Sequence, residues 1–137
     1  MPMYGELPEA NVLDALARMR GQHPTTFTTV GYGVQRMFPE AARPEVESTR
    51  VRMVAKPRLI QLNTGFTGDY LMLVSANANT GGQCNGDSGG PHFLGDSNVV
   101  VGVTSFGKNE LCRGTGAAFR IDRSWVLSWV KGFLPAE

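Results

Sequence analysis

In "QCNGDSGGPHF", residues 83–93, Ser88 stands between an aspartate and two glycines. A serine hydroxyl is a weak nucleophile until a neighbouring base takes its proton, so the chemistry on offer is acyl transfer, and the open question is where a base would lie. Glycines at 86, 89 and 90 let the backbone adopt positive φ and approach a substrate closely, and consecutive N–H groups there can form a concavity for an anion. The chain has two histidines. His92, beyond Gly-Gly-Pro, falls at an alternating strand position whose side chain points into the core, so it reads first as a satisfied core histidine and second as a base. His23, before Pro24, reads first as a loop residue and second as a base. Asp69, Asp96 and Asp122 are turn or cap residues before they are acid partners. Cys84 and Cys112 lack C-x-x-C spacing and fit no zinc or redox pattern; either they pair or they are buried thiols. No metal and no cofactor is expected.

The elements that must position these residues follow from periodicity. In "PEANVLDALARMRG", Val12, Leu13, Leu16 and Met19 share a helical face, and Gly21 is the stop. "TTFTTVGYG" reads as a strand entering a tight turn. "VESTRVRMVAK" alternates, with Thr49, Val51 and Met53 on one side and Arg50 and Arg52 on the other, and Pro57 interrupts it. "RLIQL", "YLMLVS", "PHFL", "VVVGVTSF" and "GAAFRI" supply further strands, separated by turn-rich loops, the longest from Ala76 to Gly90. "DRSWVLSWVKGFL" places Trp125, Trp129 and Phe133 at helical spacing, a stripe expected to be buried. At 137 residues and 42% hydrophobic, the chain builds one domain around one core. A net charge of +1 with 18% charged residues gives no basic field for nucleic acid. No long apolar run suggests a membrane span, and no signal-peptide pattern opens the chain, so as written it is expected to be cytoplasmic.

"GDSGGP" arises by chance on the order of once in 10⁷ positions. It resembles the nucleophile loop of the trypsin/chymotrypsin-like serine proteases, and other matches follow in the family's order. "VGYG" (30–33) is similar to the opening of that family's second barrel, "TSFG" (104–107) to the strand segment that pairs with a bound peptide, "GTGAAFRI" to the far pocket wall, and "SWVLSWV" to the terminal helix. The likeness covers about residues 26–134. It implies an all-β fold: a single six-stranded antiparallel Greek-key barrel, the second half of a bacterial-type double barrel, with a short N-terminal and a C-terminal helix. Residues 1–25 would be a lead-in helix and linker and 26–137 the barrel domain.

The resemblance also assigns roles. Ser88 would be the nucleophile, and the backbone N–H groups of Gly86 and Ser88 the oxyanion hole. Asp87 would be the buried carboxylate that the family pairs with a freed amino terminus. Cys84 and Cys112 would form the disulfide beside the substrate pocket. That pocket would be lined by Gly82, Cys84, Ser105, Phe106, Gly107 and Gly116. With Gly82 at the charge-reading position, its floor would be neutral and would suit an apolar or aromatic group. Family members are usually secreted and take their histidine and aspartate from a first barrel, which is absent here. Three readings follow: a minimal hydrolase cleaving small esters, half of a peptidase completed by another chain, or a pseudo-protease binding peptides along "TSFG". A small ester or peptide is the expected substrate. A homodimer through the face beside Ser88 is the expected association, unless the lead-in folds over that face.

Overall fold

The structure, a computed structural model, describes residues 4–18, 25–37 and 46–135. His23, Met19 and Gly21 lie outside the described residues. The strands are β1 (Phe27–Gly31), β2 (Arg36–Met37), β3 (Val46–Glu47), β4 (Met53–Ala55), β5 (Leu59–Thr64), β6 (Gly68–Ala76), β7 (Pro91–Leu94), β8 (Val100–Gly107) and β9 (Gly114–Arg120). They are followed by the helix α1 (Ser124–Lys131).

The main sheet has seven strands in the order β4-β1-β7-β8-β9-β6-β5, all neighbours antiparallel, and β2 pairs with β3 separately. A curled seven-stranded sheet thus replaces the expected six-stranded barrel. Pro57, which has no N–H to give a ladder, separates β4 from β5, and these consecutive strands stand at opposite ends of the sheet. Curling brings the ends near each other. Phe27 N donates to Pro57 O at 2.8 Å, Leu59 N to Thr25 O at 3.1 Å, and Thr26 bridges Arg58. The alternating run 46–56 is not one strand, because Arg50 takes φ 51° and breaks the extended path. Thr49, Val51, Arg52, Met53 and Val54 are all exposed, so neither face of the stretch 49–54 is buried.

The core gathers Leu13, Phe27, Leu59, Leu62, Met72, Val74, Val101 and Ala118. Residues 71–76 of β6 are buried on both faces, which is why "YLMLVS" is apolar almost without alternation. The lead-in forms a 3-10 helix, Val12–Arg18, that drives Leu13 into this core and lays Val12 and Leu16 against it. Its start is fixed by Asp122, whose main-chain oxygen accepts Asn11 N at 2.7 Å and whose Oδ2 accepts Leu13 N at 3.0 Å. Asp122 in turn pairs with the fully buried Arg120, Nε to Oδ1 at 2.9 Å and Nη2 to Oδ2 at 2.8 Å. The same guanidinium donates to Asn63 Oδ1 at 2.6 Å and Asp14 Oδ1 at 2.8 Å, tying β9, β5 and the lead-in together. Burial works against the charge on Asp14, but hydrogen bonds from Asn63 and Arg120 and the nearby Arg120 and Arg123 charges outweigh it and hold the carboxyl below its usual range.

The C-terminal stripe is a second correction. Trp125, Trp129 and Phe133 are 58%, 66% and 73% exposed, and α1 buries Val126 and Leu127 instead. A helix this short seats only one turn's width, and the smaller aliphatic pair fills it. The aromatics shield one another, with Trp129 against Phe133 at 4.8 Å and Trp125 against Phe119 at 5.9 Å between ring centres. Among the described residues, no helix is long and apolar enough to cross a membrane.

Candidate active site

Ser88 lies on the loop between β6 and β7, and successive turns set its position. Asp87 N donates to Cys84 O at 3.0 Å and Gly90 N to Asp87 O at 2.9 Å, while Gly89 N to Thr104 O at 3.0 Å ties the loop to β8. Gly86 takes φ 96°, and a Cβ there would stand 3.0 Å from Gly33 Cα, so both conformation and space require glycine. Ser88 is exposed at the tip. Among the described residues its hydroxyl has no hydrogen-bond partner, and the N–H groups of Gly86 and Ser88 are not engaged.

Asp87 does find partners, and they are backbone. Its Oδ1 accepts Gly33 N at 2.8 Å and its Oδ2 accepts Cys84 N at 2.9 Å. The "VGYG" turn is glycine-rich for this reason: a Cβ on Gly31 would fall 1.9 Å from Asp87 Oδ1, and one on Gly33 2.7 Å from the same atom. Val34 N donating to Asn85 O at 2.9 Å adds a further tie between that turn and the serine loop. Cys84 and Cys112 are bonded, with Cα atoms 5.2 Å apart, as the resemblance implied.

His92 is not beside Ser88's hydroxyl. It is fully buried on β7, with Nε2 3.0 Å from Gln83 Oε1 and 3.1 Å from Thr104 Oγ1, and burial pushes its pKa down to about 4. A ring held there is a core histidine. Its first partner, Gln83, went unnoticed in the sequence. Gln83 is buried, and its Nε2 donates to Phe106 O at 3.1 Å and to Ala117 O at 2.8 Å. The one clue was a long amide in a loop of otherwise small residues.

A crevice of about 470 Å³ opens beside Ser88, and of the expected pocket residues it is lined by Cys84, Ser105, Phe106 and Gly107. Gly82 and Gly116 are not part of its wall. Gly82 packs on Ala76, where a Cβ would come within 2.5 Å of Ala76 Cβ, and Gly116 faces Gln83. On the other side of Ser88 is a wider apolar hollow of about 760 Å³ that includes Tyr32, Met53, Val54 and Phe93. Tyr32, Met53 and Val54 are exposed there. The described part of the lead-in does not cover them: it sits at the Asn98 and Asp122 end of the sheet, where Glu6 N donates to Asn98 O at 2.9 Å. Among the described residues no cluster of His, Cys, Asp or Glu could hold a metal ion.

The backbone superposes on human heparin binding protein. One variant matches at a TM-score of 0.65 and 19% identity, over 100% of this chain and 53% of that one. A second variant also gives 0.65, at 21% identity, over 95% of this chain and 51% of that one. In sequence, Trypsin CFT-1 of Choristoneura fumiferana is 44% identical over 70 residues, which are 47% of this chain and 27% of that protein. The chain thus spans about half the length of these solved structures and a smaller share of the curated relative. The Trypsin family matches residues 11–130, from the start of the 3-10 helix into α1 and including the serine loop, its aspartate and its disulfide; the chain belongs to that family.

Proposed function

We propose that the chain is a serine hydrolase that uses Ser88 for acyl transfer and favours small activated esters over peptides. The observation that carries this reading is the pair of unengaged N–H groups at Gly86 and Ser88, held beside an exposed hydroxyl by a carboxylate clamped to two main-chain amides. As Oγ bonds to the ester carbonyl carbon, the hydroxyl proton passes to solvent and the carbonyl oxygen, now negative, accepts from both amides. Collapse of that intermediate breaks the ester C–O bond and expels the alkoxide, which takes a proton from solvent; water then attacks the acyl-serine, releases the carboxylic acid and restores the hydroxyl. An oxyanion hole and binding alone retain roughly 10³–10⁴-fold acceleration in comparable sites lacking triad members. Activated esters suit that remainder, since their leaving group departs without a general acid, whereas an amide nitrogen must be protonated.

A second reading is favoured by the exposed Tyr32, Met53 and Val54 beside Ser88. A second chain seated on that face, a copy of this one or a barrel carrying histidine and aspartate, would complete a peptidase. The test for both is labelling of Ser88 by a fluorophosphonate, together with p-nitrophenyl acetate hydrolysis by the wild type and Ser88→Ala and light scattering of the same samples. Labelling at Ser88 with activity lost in Ser88→Ala supports the first reading. Full activity in Ser88→Ala refutes both, and activity that appears only in a dimeric fraction selects the second.

A further inference from the structure

The room beside Gly116 on β9 is already occupied. Gln83 enters it from the serine loop, and a Cβ built on Gly116 would lie 2.7 Å from both Cγ and Cδ of Gln83. The room that a glycine at 116 leaves is therefore taken by this side chain. Its amide is committed as well. Phe106 O and Ala117 O, being acceptors, fix which end is the NH₂, and they use both of its hydrogens, at 3.1 Å and 2.8 Å. The carbonyl end faces His92 Nε2 at 3.0 Å, so that nitrogen carries the ring proton, with Thr104 Oγ1 3.1 Å away. No donor of this amide remains for a substrate, and swinging Gln83 aside would give up both bonds to the strand carbonyls and leave the imidazole N–H with Thr104 Oγ1 alone.

We propose that Gln83 is a specificity-determining residue that fills the room Gly116 leaves, so that Ser88 favours acyl groups with a small substituent next to the carbonyl over those with a bulky one. This rests on Ser88 being the nucleophile, and it replaces the bulky apolar group expected from Gly82, Gly107 and Gly116. The crevice along Ser105–Gly107, which Gln83 also lines, remains open to the rest of the substrate.

The full chain is tested with p-nitrophenyl esters of N-acetylalanine and N-acetylphenylalanine, as the wild type and as Gln83→Ser. The wild type should favour alanine in kcat/KM by at least about tenfold, the discrimination that a few methylenes carry in a closed site. Gln83→Ser should erase or invert that order. Equal or better cleavage of the phenylalanine ester by the wild type overturns the proposal. If neither ester is cleaved, the hydrolase reading has failed, and the plug is judged separately by titrating indole while following the amide resonances of Gly107 and Gly116. These should shift saturably in Gln83→Ser and stay fixed in the wild type. Saturable indole binding there by the wild type overturns the plug, and this result stands even if Gln83→Ser does not fold.

Discussion

His92 should make this protein acid-sensitive between about pH 7 and pH 4. The ring is sealed in the core and its pKa is pushed from 6.5 to about 4, so the folded chain binds fewer protons than the unfolded chain between those values. Stability must therefore rise with pH across that window and fall as the solution is acidified through it. The shift corresponds to about 3 kcal/mol lost between pH 7 and pH 4, at a slope near 1 kcal/mol per pH unit through its middle. The carboxyls of Asp14 and Asp96 are also held low in the folded chain, so what they contribute is lost mainly at and below the acid end of this window. Urea unfolding at half-unit pH steps from 4 to 7 measures the slope. His92→Gln, which keeps a donor towards Gln83, should flatten it. A wild-type profile that stays parallel to that of His92→Gln would refute the reasoning.

Three other perturbations probe other parts of the architecture. Arg120→Met leaves Asp122 buried without its partner and should cost about 3–5 kcal/mol in the same unfolding assay; a loss under 1 kcal/mol would mean the pair is not load-sharing with the lead-in. Replacing both Cys84 and Cys112 by serine opens a loop with a sequence separation of 28 and should cost about 3–4 kcal/mol, measured as a lowered urea midpoint. Gly31→Ala places a Cβ 1.9 Å from Asp87 Oδ1 and should cost about 1–3 kcal/mol by overpacking, and it should slow fluorophosphonate labelling of an untouched Ser88; unchanged labelling would show that the carboxylate does not hold the loop.

The glycines of the serine loop were legible because positive φ is a local demand that residue type records, as at Gly86 with φ 96°. The partners of Asp87 were not: the resemblance implied a freed amino terminus, whereas its carboxylate accepts from Gly33 N and Cys84 N. The disulfide was legible only through the family likeness, since spacing left Cys84 and Cys112 open to two readings. What sequence did not disclose depends on distant neighbours. Gln83 reads as one polar loop residue among many until the carbonyls of Phe106 and Ala117 stand on either side of its amide. Helical spacing placed Trp125, Trp129 and Phe133 together correctly, but it cannot say which side of so short a helix meets the sheet. Likewise, alternation over 46–56 lost its meaning once Arg50 turned left-handed.

The capping of Leu13 by Asp122 spans a sequence separation of 109 residues, and that separation sets a schedule. A ribosome adding roughly 5–20 residues per second needs about 5–20 s to make the interval. Throughout that time the lead-in has neither its cap nor the Arg120 guanidinium, and Leu13 has no finished core to enter. The lead-in thus leaves the ribosome well before the residues that seat it, and a nascent chain stalled before residue 120 offers a chaperone an apolar handle that is withdrawn once Asp122 is in place.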